Sequence, residues 1–478
     1  MKLHEECGIF GIRSTSGTDV VSASYYALFA LQHRGQESCG IAVNSDGIIS
    51  CHKDAGQVND VFTREILASM GQGEMAVGHV RYGADKESRL NAQPIVVKHV
   101  KGGMALANNG CLTNAAQLRE ELELDGSIFS GTSDAELISH IITRERLTSS
   151  SIEEAVQKAM YRLEGAYAIV LMTATKLVAA RDPHGFHPIC IGKIGEDTVF
   201  ASESCALDSI GATFLRDVAP GEIVVVNDAG MRSVTEHCNK VPRALCVFEY
   251  IYFARPDSVL DGCSVHMARQ RAGAFLAQEH PVDADLVIGV PDSGIDAAIG
   301  YSRQSGIPYG LGFIKNKYIG RTFIQPGQAQ RENLVRIKLN AVADAVRGKR
   351  VVLIDDSIVR GTTIARIVKL LREAGAKEIH MRSSAPPFLY PCYFGTDIDS
   401  PERLIANQYP MEEIAGVIGV DSLGYLSTEN VVKIAKEAGD GFCTACFTGN
   451  YPCKPPEKTK KPIYMVKLSE RNAKGEKG

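Results

Sequence analysis

At 478 residues the chain is long enough for two or three domains, each with its own buried core. A hydrophobic fraction of 45% and a charged fraction of 23% are those of a soluble globular protein. The formal net charge of −4 disfavours a nucleic-acid-binding surface, and no apolar run approaches the ~18 residues that a membrane span needs.

Residues 1–6 are charged and lack an apolar core, which argues against a secretory signal and for the cytoplasm. Thirteen cysteines in such a chain suit metal ligation and one nucleophile better than disulfides. Most of them, such as Cys39, Cys51 and Cys190, read as small buried hydrophobes. Residues 7–236 are dense in short apolar runs broken by glycine: CGIFGI, CGIAV, MAVGHV, YAIVLMT, KLVAARD and EIVVVND. These runs predict strands of packed sheets. Two helices are predicted among them, over 22–32 and 134–143, with apolar residues spaced for a buried face. The expectation is a layered sheet sandwich covered by helices. A polar stretch at 237–243, interrupted by Pro242, marks the boundary.

Residues 243–440 alternate differently. DLVIGVP leads into IDAAIGYSRQSG, and RVVLIDD leads into IARIVKLLREAGA. In the latter, Ile364, Ile367, Val368 and Leu371 share one face, and Gly375 stands where the helix should end. Continuous apolar strands, each followed by an amphipathic helix, predict parallel strands of a doubly wound sheet. Residues 441–478 form a separate C-terminal segment whose end, from residue 454, is rich in lysine and proline and reads as a loosely attached tail. No internal repeat is visible.

The segment 351–363, VVLIDDSIVRGTT, is the most informative. An apolar strand ends in two acids, and a small-residue loop leads into a helix. Loop N–H groups, the hydroxyls of Ser357, Thr362 and Thr363 and the helix N-terminus can cradle a phosphate. Asp355 and Asp356 can hold sugar hydroxyls and a divalent cation, with Arg360 adding charge at the rim. The bland reading is a buried strand ending in a solvated acidic turn. The joint occurrence of acid pair and Gly361-Thr362-Thr363 favours the phosphate site. This segment resembles the phosphoribosyl pyrophosphate (PRPP) signature of type I phosphoribosyltransferases. The resemblance implies that 357–363 wraps the 5-phosphate while Asp355 and Asp356 face the ribose hydroxyls and Mg2+. It also makes GVPDSG, 289–294, a diphosphate and metal loop with Ser293 on the magnesium side. Residues 315–338 are basic and glycine-containing; they read as a mobile surface loop, and also as one that closes over PRPP with Arg321 and Lys338 at the diphosphate.

In the first half, Cys7 opens an apolar run, which alone describes a packed strand residue better than a nucleophile. Its companions change that: GHVRY at 78–82, ANNG at 107–110 and GTSDAE at 131–136. Together they resemble the class II glutamine amidotransferases, of the N-terminal-nucleophile (Ntn) type with an αββα sandwich. The resemblance implies Cys7 as nucleophile, Arg81 on the glutamine α-carboxylate and Asp134 on its α-ammonium. It also implies an oxyanion hole made by the Asn109 side chain and the Gly110 N–H. A free α-amino group titrates near ~8 and can serve as the base, but only if Cys7 is the first residue. Residues 1–6 are therefore expected to be a propeptide; an unprocessed N-terminus is the alternative. After GHVRY the chain has Gly83-Ala84-Asp85 where relatives carry a threonine-containing turn. His79 reads as structural.

Cys443 and Cys446 form a C-x-x-C, which by itself is compatible with zinc, an iron–sulfur cluster, a redox pair or nothing. With Cys246 and Cys392 they resemble the four-cysteine positions of Bacillus-type glutamine-dependent PRPP-aminating enzymes. The resemblance implies a structural 4Fe–4S cluster, with zinc as runner-up and Cys453 a bystander. The same branch carries a propeptide. The whole resemblance, from about residue 6 to 452, implies transfer of glutamine-derived ammonia to C1 of PRPP, the committing step of purine synthesis. It also implies inhibition by purine nucleotides and a homotetramer. Other class II amidotransferases, aminating sugar phosphates or forming asparagine, need no PRPP loop. A non-enzymatic PRPP-sensing regulator would not need Cys7, Arg81, Asp134, Asp355 and Asp356 together.

Overall fold

The computed structural model describes residues 7–82, 89–316, 339–396, 398 and 400–457. Residues 1–6, Gly83-Ala84-Asp85, Arg321 and Lys338 lie outside them.

The apolar runs of the first half form two antiparallel sheets. One has the spatial order Thr213–Asp217, Cys190–Ile194, Asp197–Ala201, Cys7–Arg13, Met75–Arg81, Ser38–Ser45, Ile48–Ala55. The other has the order Gly230–Val234, Ile223–Asn227, Leu177–Arg181, Ala168–Thr173, Gly102–Asn109, Ile95–His99. Side chains alternate across each strand, so one strand feeds two cores. Phe10 and Ile12 meet Ala27 and Leu28 of the helix Val20–Ala30, whereas Ile9 meets Val77 and Val170 between the sheets. Beyond the second sheet, Leu171 packs with Ile138, Ile142 and Val156 of two covering helices. These layers are the expected αββα sandwich.

The first helix starts two residues before the predicted 22–32 because the Asp19 carboxylate caps the N–H groups of Val21 and Ser22, each at 3.1 Å. The second runs Asp134–Thr148 rather than 134–143. Its last turns lose the apolar face but gain Arg144–Asp125 (2.6 Å). Several helices escaped the pattern reading, among them Ala115–Leu124 and Ile152–Met160. Ala115–Leu124 buries only Leu118 and Leu122, too thin a stripe to detect. Ile152–Met160 is short and begins at a Ser151 cap.

In the second half the strands Leu286–Gly289, Arg350–Asp355, Glu378–Ser383 and Ser422–Tyr425 form a parallel sheet in that order. Tyr309 makes a further parallel bridge to Val287 on the free edge. The chain thus leaves Leu286–Gly289 through the helix Gly294–Ser305, returns outside it, and then crosses to Arg350–Asp355. Strand order reverses between these two strands, which is the doubly wound arrangement, and the crevice at their carboxyl ends is where such sheets bind ligands.

The halves are tied by buried charge. Arg34 contacts Glu203 of the first half and Glu249 of the second, and His187 reaches Glu249 (3.0 Å) and the Phe394 carbonyl (2.9 Å). Removing one partner of such a pair leaves a buried charge uncompensated, at ~3–5 kcal/mol. Leu245–Cys246 pairs in parallel with Phe442–Cys443, so the C-terminal segment returns to the start of the second half. No helix among the described residues is long and apolar enough to cross a membrane.

Candidate active sites

Cys7 is the first residue of its strand and is fully buried; it stands opposite Arg81 in the sheet register. Its N–H donates to Asn109 Oδ1 (3.2 Å) across the sandwich. The Asn109 Nδ2 is buried and has no hydrogen-bond partner among the described residues, which leaves a donor for a bound carbonyl. Gly110 follows with φ +125°, and a Cβ there would stand 2.5 Å from the Ala166 carbonyl oxygen, so only glycine fits. Arg81 is fully buried and its backbone lies under Gly35, whose Cβ would be 2.4 Å from the Arg81 nitrogen.

Asp134 opens its helix behind the Ser133 cap and accepts the Leu112 N–H at 2.8 Å. Burial pushes its carboxyl up to about 6, against the pull of that N–H and of Arg119. The loop before it is held by Glu136, which accepts from the Ser130 and Gly131 N–H groups (2.7 and 2.8 Å). His79 is buried and its Nε2 donates to the Asn108 carbonyl (3.2 Å). Burial, with Arg81 and Lys53 nearby, lowers its pKa to about 3, so it stays neutral and structural, as read from the sequence.

At the crevice of the parallel sheet, the Asp356 carboxylate accepts from Ser293 Oγ and Ser357 Oγ, both at 2.5 Å. Asp355 lies beside it, and the Asp356 N–H donates to Asp355 Oδ1 (3.0 Å). Burial and the neighbouring Asp356 hold the Asp355 carboxyl well above the usual range. The loop turns into the helix Thr362–Glu373 at Gly361, whose φ of +73° presents that helix N-terminus to the crevice. Thr362, Thr363 and Arg360 are exposed at its mouth. On the other wall, Gly294 approaches so closely that a Cβ would be 2.5 Å from the Ile354 carbonyl, and Lys315 pairs with Asp292. Ser293 is thus brought from 63 residues away onto Asp356, beside Asp355 and Ser357. Paired carboxylates flanked by hydroxyls fit a hard divalent cation.

A glutamine amidotransferase domain family matches residues 79–209, and a phosphoribosyl transferase domain family matches 265–385. The amidophosphoribosyltransferase of Archaeoglobus fulgidus is 48% identical over 453 residues, covering 94% of this chain and 98% of the relative. That of Bacillus subtilis is 48% identical over 456 residues, covering 94% of each. The chain belongs to the amidophosphoribosyltransferase family. The solved B. subtilis glutamine PRPP amidotransferase, complexed with ADP and GMP, superposes with a TM-score of 0.88 at 48% identity, over 95% of this chain and 99% of that one.

Against this amidophosphoribosyltransferase background the four cysteines are informative. Cys246, Cys392, Cys443 and Cys446 line one cavity walled by Phe186, Phe248, Phe388 and Phe394, and none is in a disulfide. Burial and the neighbouring sulfurs push Cys246 and Cys446 well above the ordinary thiol range, and Cys443 is pushed up to about 12. The Phe394 N–H donates to Cys392 Sγ (3.4 Å). Soft sulfur donors select zinc or iron–sulfur, and a bound metal would strip the thiol protons. Among the described residues no three His, Cys, Asp or Glu side chains are grouped as a single ion would need. Sequence reading missed the contact of Gln93 with Asn108 beside Asn109, and the Arg34–Glu203–Glu249 bridge; isolated polar residues carry no periodic signal.

Proposed function

We propose that the chain performs the amidophosphoribosyltransferase reaction with the residues described above. It hydrolyses glutamine, transfers the ammonia to C1 of PRPP and displaces diphosphate to give 5-phosphoribosylamine. Cys7, freed of residues 1–6, passes its thiol proton to its own α-amino group and attacks the glutamine amide carbon. Asn109 Nδ2 and the Gly110 N–H take the developing oxyanion. Ammonia leaves with the returned proton, and water releases glutamate from the thioester. Arg81 holds the substrate carboxylate and Asp134 its ammonium. The orphaned Asn109 Nδ2, on the same amide as the oxygen that Cys7 N–H uses, is the observation that carries this half.

At the second site Ser357, Gly361, Thr362 and Thr363 take the 5-phosphate, with Arg360 at the rim, and Asp355 and Asp356 take the ribose hydroxyls. Arg321 and Lys338 serve the diphosphate. Asp355, Asp356 and Ser293 would hold Mg2+, which would supply positive charge for the departing diphosphate. Cys246, Cys392, Cys443 and Cys446 would hold a 4Fe–4S cluster, fastening residues 441–457 to the transferase domain; thiols set around a shared cavity suit a many-atom cluster better than a single zinc ion. The domains then run 7–236 and 243–440. Purine nucleotides such as those bound by the B. subtilis enzyme act as inhibitors of a cytoplasmic homotetramer.

Protein purified without oxygen should release glutamate faster with PRPP and Mg2+ than without. Its intact mass should lack residues 1–6, and it should carry iron and acid-labile sulfide. Glutamate release indifferent to PRPP would remove the coupling of the sites, and zinc in place of iron would remove the cluster. Because Asp134 is ionised only above about 6, glutamine binding should weaken as pH falls through that value. The expected rise in glutamine KM is roughly tenfold one pH unit below that midpoint. An Asp134→Asn variant should bind weakly at every pH; a KM flat from neutrality to pH 5 would remove Asp134 from the substrate site.

A further inference from the structure

The ladder between Ile95–His99 and Gly102–Asn109 pairs Ile95 with Leu106 and stops there. Continued, it would bring residue 94 and then 93 alongside Ala107 and Asn108. Pro94 has no N–H to give, and the Gln93 backbone turns away, its carbonyl only 2.3 Å from where a Cβ on Gly40 would stand. The side chain of Gln93 replaces the missing strand. Its Oε1 accepts the Asn108 N–H (2.7 Å) and its Nε2 donates to the Asn108 carbonyl (3.4 Å), which also takes the His79 Nε2–H. Asn108 in turn donates through Nδ2 to the Gly110 carbonyl (3.1 Å). Gln93, Asn108 and His79 are all fully buried, so each bond is unscreened by water.

We propose that Gln93 and Asn108 are positioning residues for the oxyanion hole. Asn109 is the last residue of its strand, paired with Ala168 on one side only, and Gly110 lies beyond the pairing. The Gln93 amide clamps both main-chain groups of the residue before Asn109, and the Asn108 amide clamps the carbonyl of the residue after it. The peptide that bears the Gly110 N–H is thereby held from both sides. A misplacement of ~1 Å in such a donor can cost about 10²-fold in rate. Neither residue reaches the substrate, so the loss falls on kcat rather than on glutamine binding.

The inference rests on the assignment of Cys7, Asn109 and Gly110, and the experiment separates the two. In Gln93→Met, which keeps the shape and loses both hydrogen bonds, kcat for glutamate release should fall between about tenfold and about 10²-fold. Glutamine KM should stay within about threefold, and ammonia-dependent phosphoribosylamine formation should keep the parent rate. Asn108→Ala should behave alike. Gln93→Glu, which keeps the acceptor for the Asn108 N–H, should recover part of the loss when the pH is lowered enough to protonate the new carboxyl. An unchanged kcat, or an equal fall in the ammonia-dependent reaction together with a lowered melting temperature, would overturn the positioning role. Persistence of full glutamate release in Asn109→Ala would instead overturn the oxyanion-hole assignment itself.

Discussion

Replacing Cys7 by alanine should abolish glutamate release and leave the synthesis of phosphoribosylamine from free ammonia intact. The expected loss is roughly 10⁴-fold or more, the scale on which removal of a covalent nucleophile is felt. The thiols buried in the neighbouring core make poor substitutes. Cys39 lies two strands away, and burial, with Asp60 and Asp54 nearby, pushes its thiol up to about 12. Cys190 and Cys205 are pushed higher still by burial and adjacent acids. Free ammonia bypasses the thioester, so the second site should not sense the change. The decisive comparison is the two assays on one preparation. Loss of both activities would mean that Cys7 supports the fold and not the chemistry.

Asp356→Asn gives the converse result. Phosphoribosylamine formation falls about 10²-fold or more from either ammonia source, while PRPP-independent glutamate release keeps its parent rate. Asp356 sits between Ser293 and Ser357 and next to Asp355, so two carboxylates and two hydroxyls share one pocket. A divalent cation held there would be balanced by both carboxylates; an amide at 356 would lower the attraction. The midpoint for Mg2+ activation should therefore move to higher concentration in the variant. A variant with parent activity and an unmoved Mg2+ midpoint would place the cation elsewhere.

Both candidate sites could be read from the chain because each rests on a local device. The acid pair follows an apolar strand directly, and the phosphate cradle needs only the next few residues, so 351–363 reads as a unit. ECGIFGI, GHVRY, ANNG and GTSDAE are each strand ends or helix starts with little polar noise, and their strands formed where the alternation put them. The thin-faced helix Ala115–Leu124 was not legible, because two buried leucines are too weak a periodicity. Nor was the contact of Gln93 with Asn108, since a glutamine before a proline looks like any turn.

By itself the sequence determined the types of the apolar strands and of the strongly amphipathic helices, the acid pair, the cysteine that opens the first strand and the four thiols, because residue chemistry and short-range spacing are properties of the chain alone. Only the tertiary structure decided that Cys7 meets Asn109, that Ser293 meets Asp356, and that Cys246 is drawn to Cys443 by a two-residue parallel pairing. Those pairs are separated by tens to hundreds of residues, and closing such loops is decided by the burial of whole sheets rather than by any local preference.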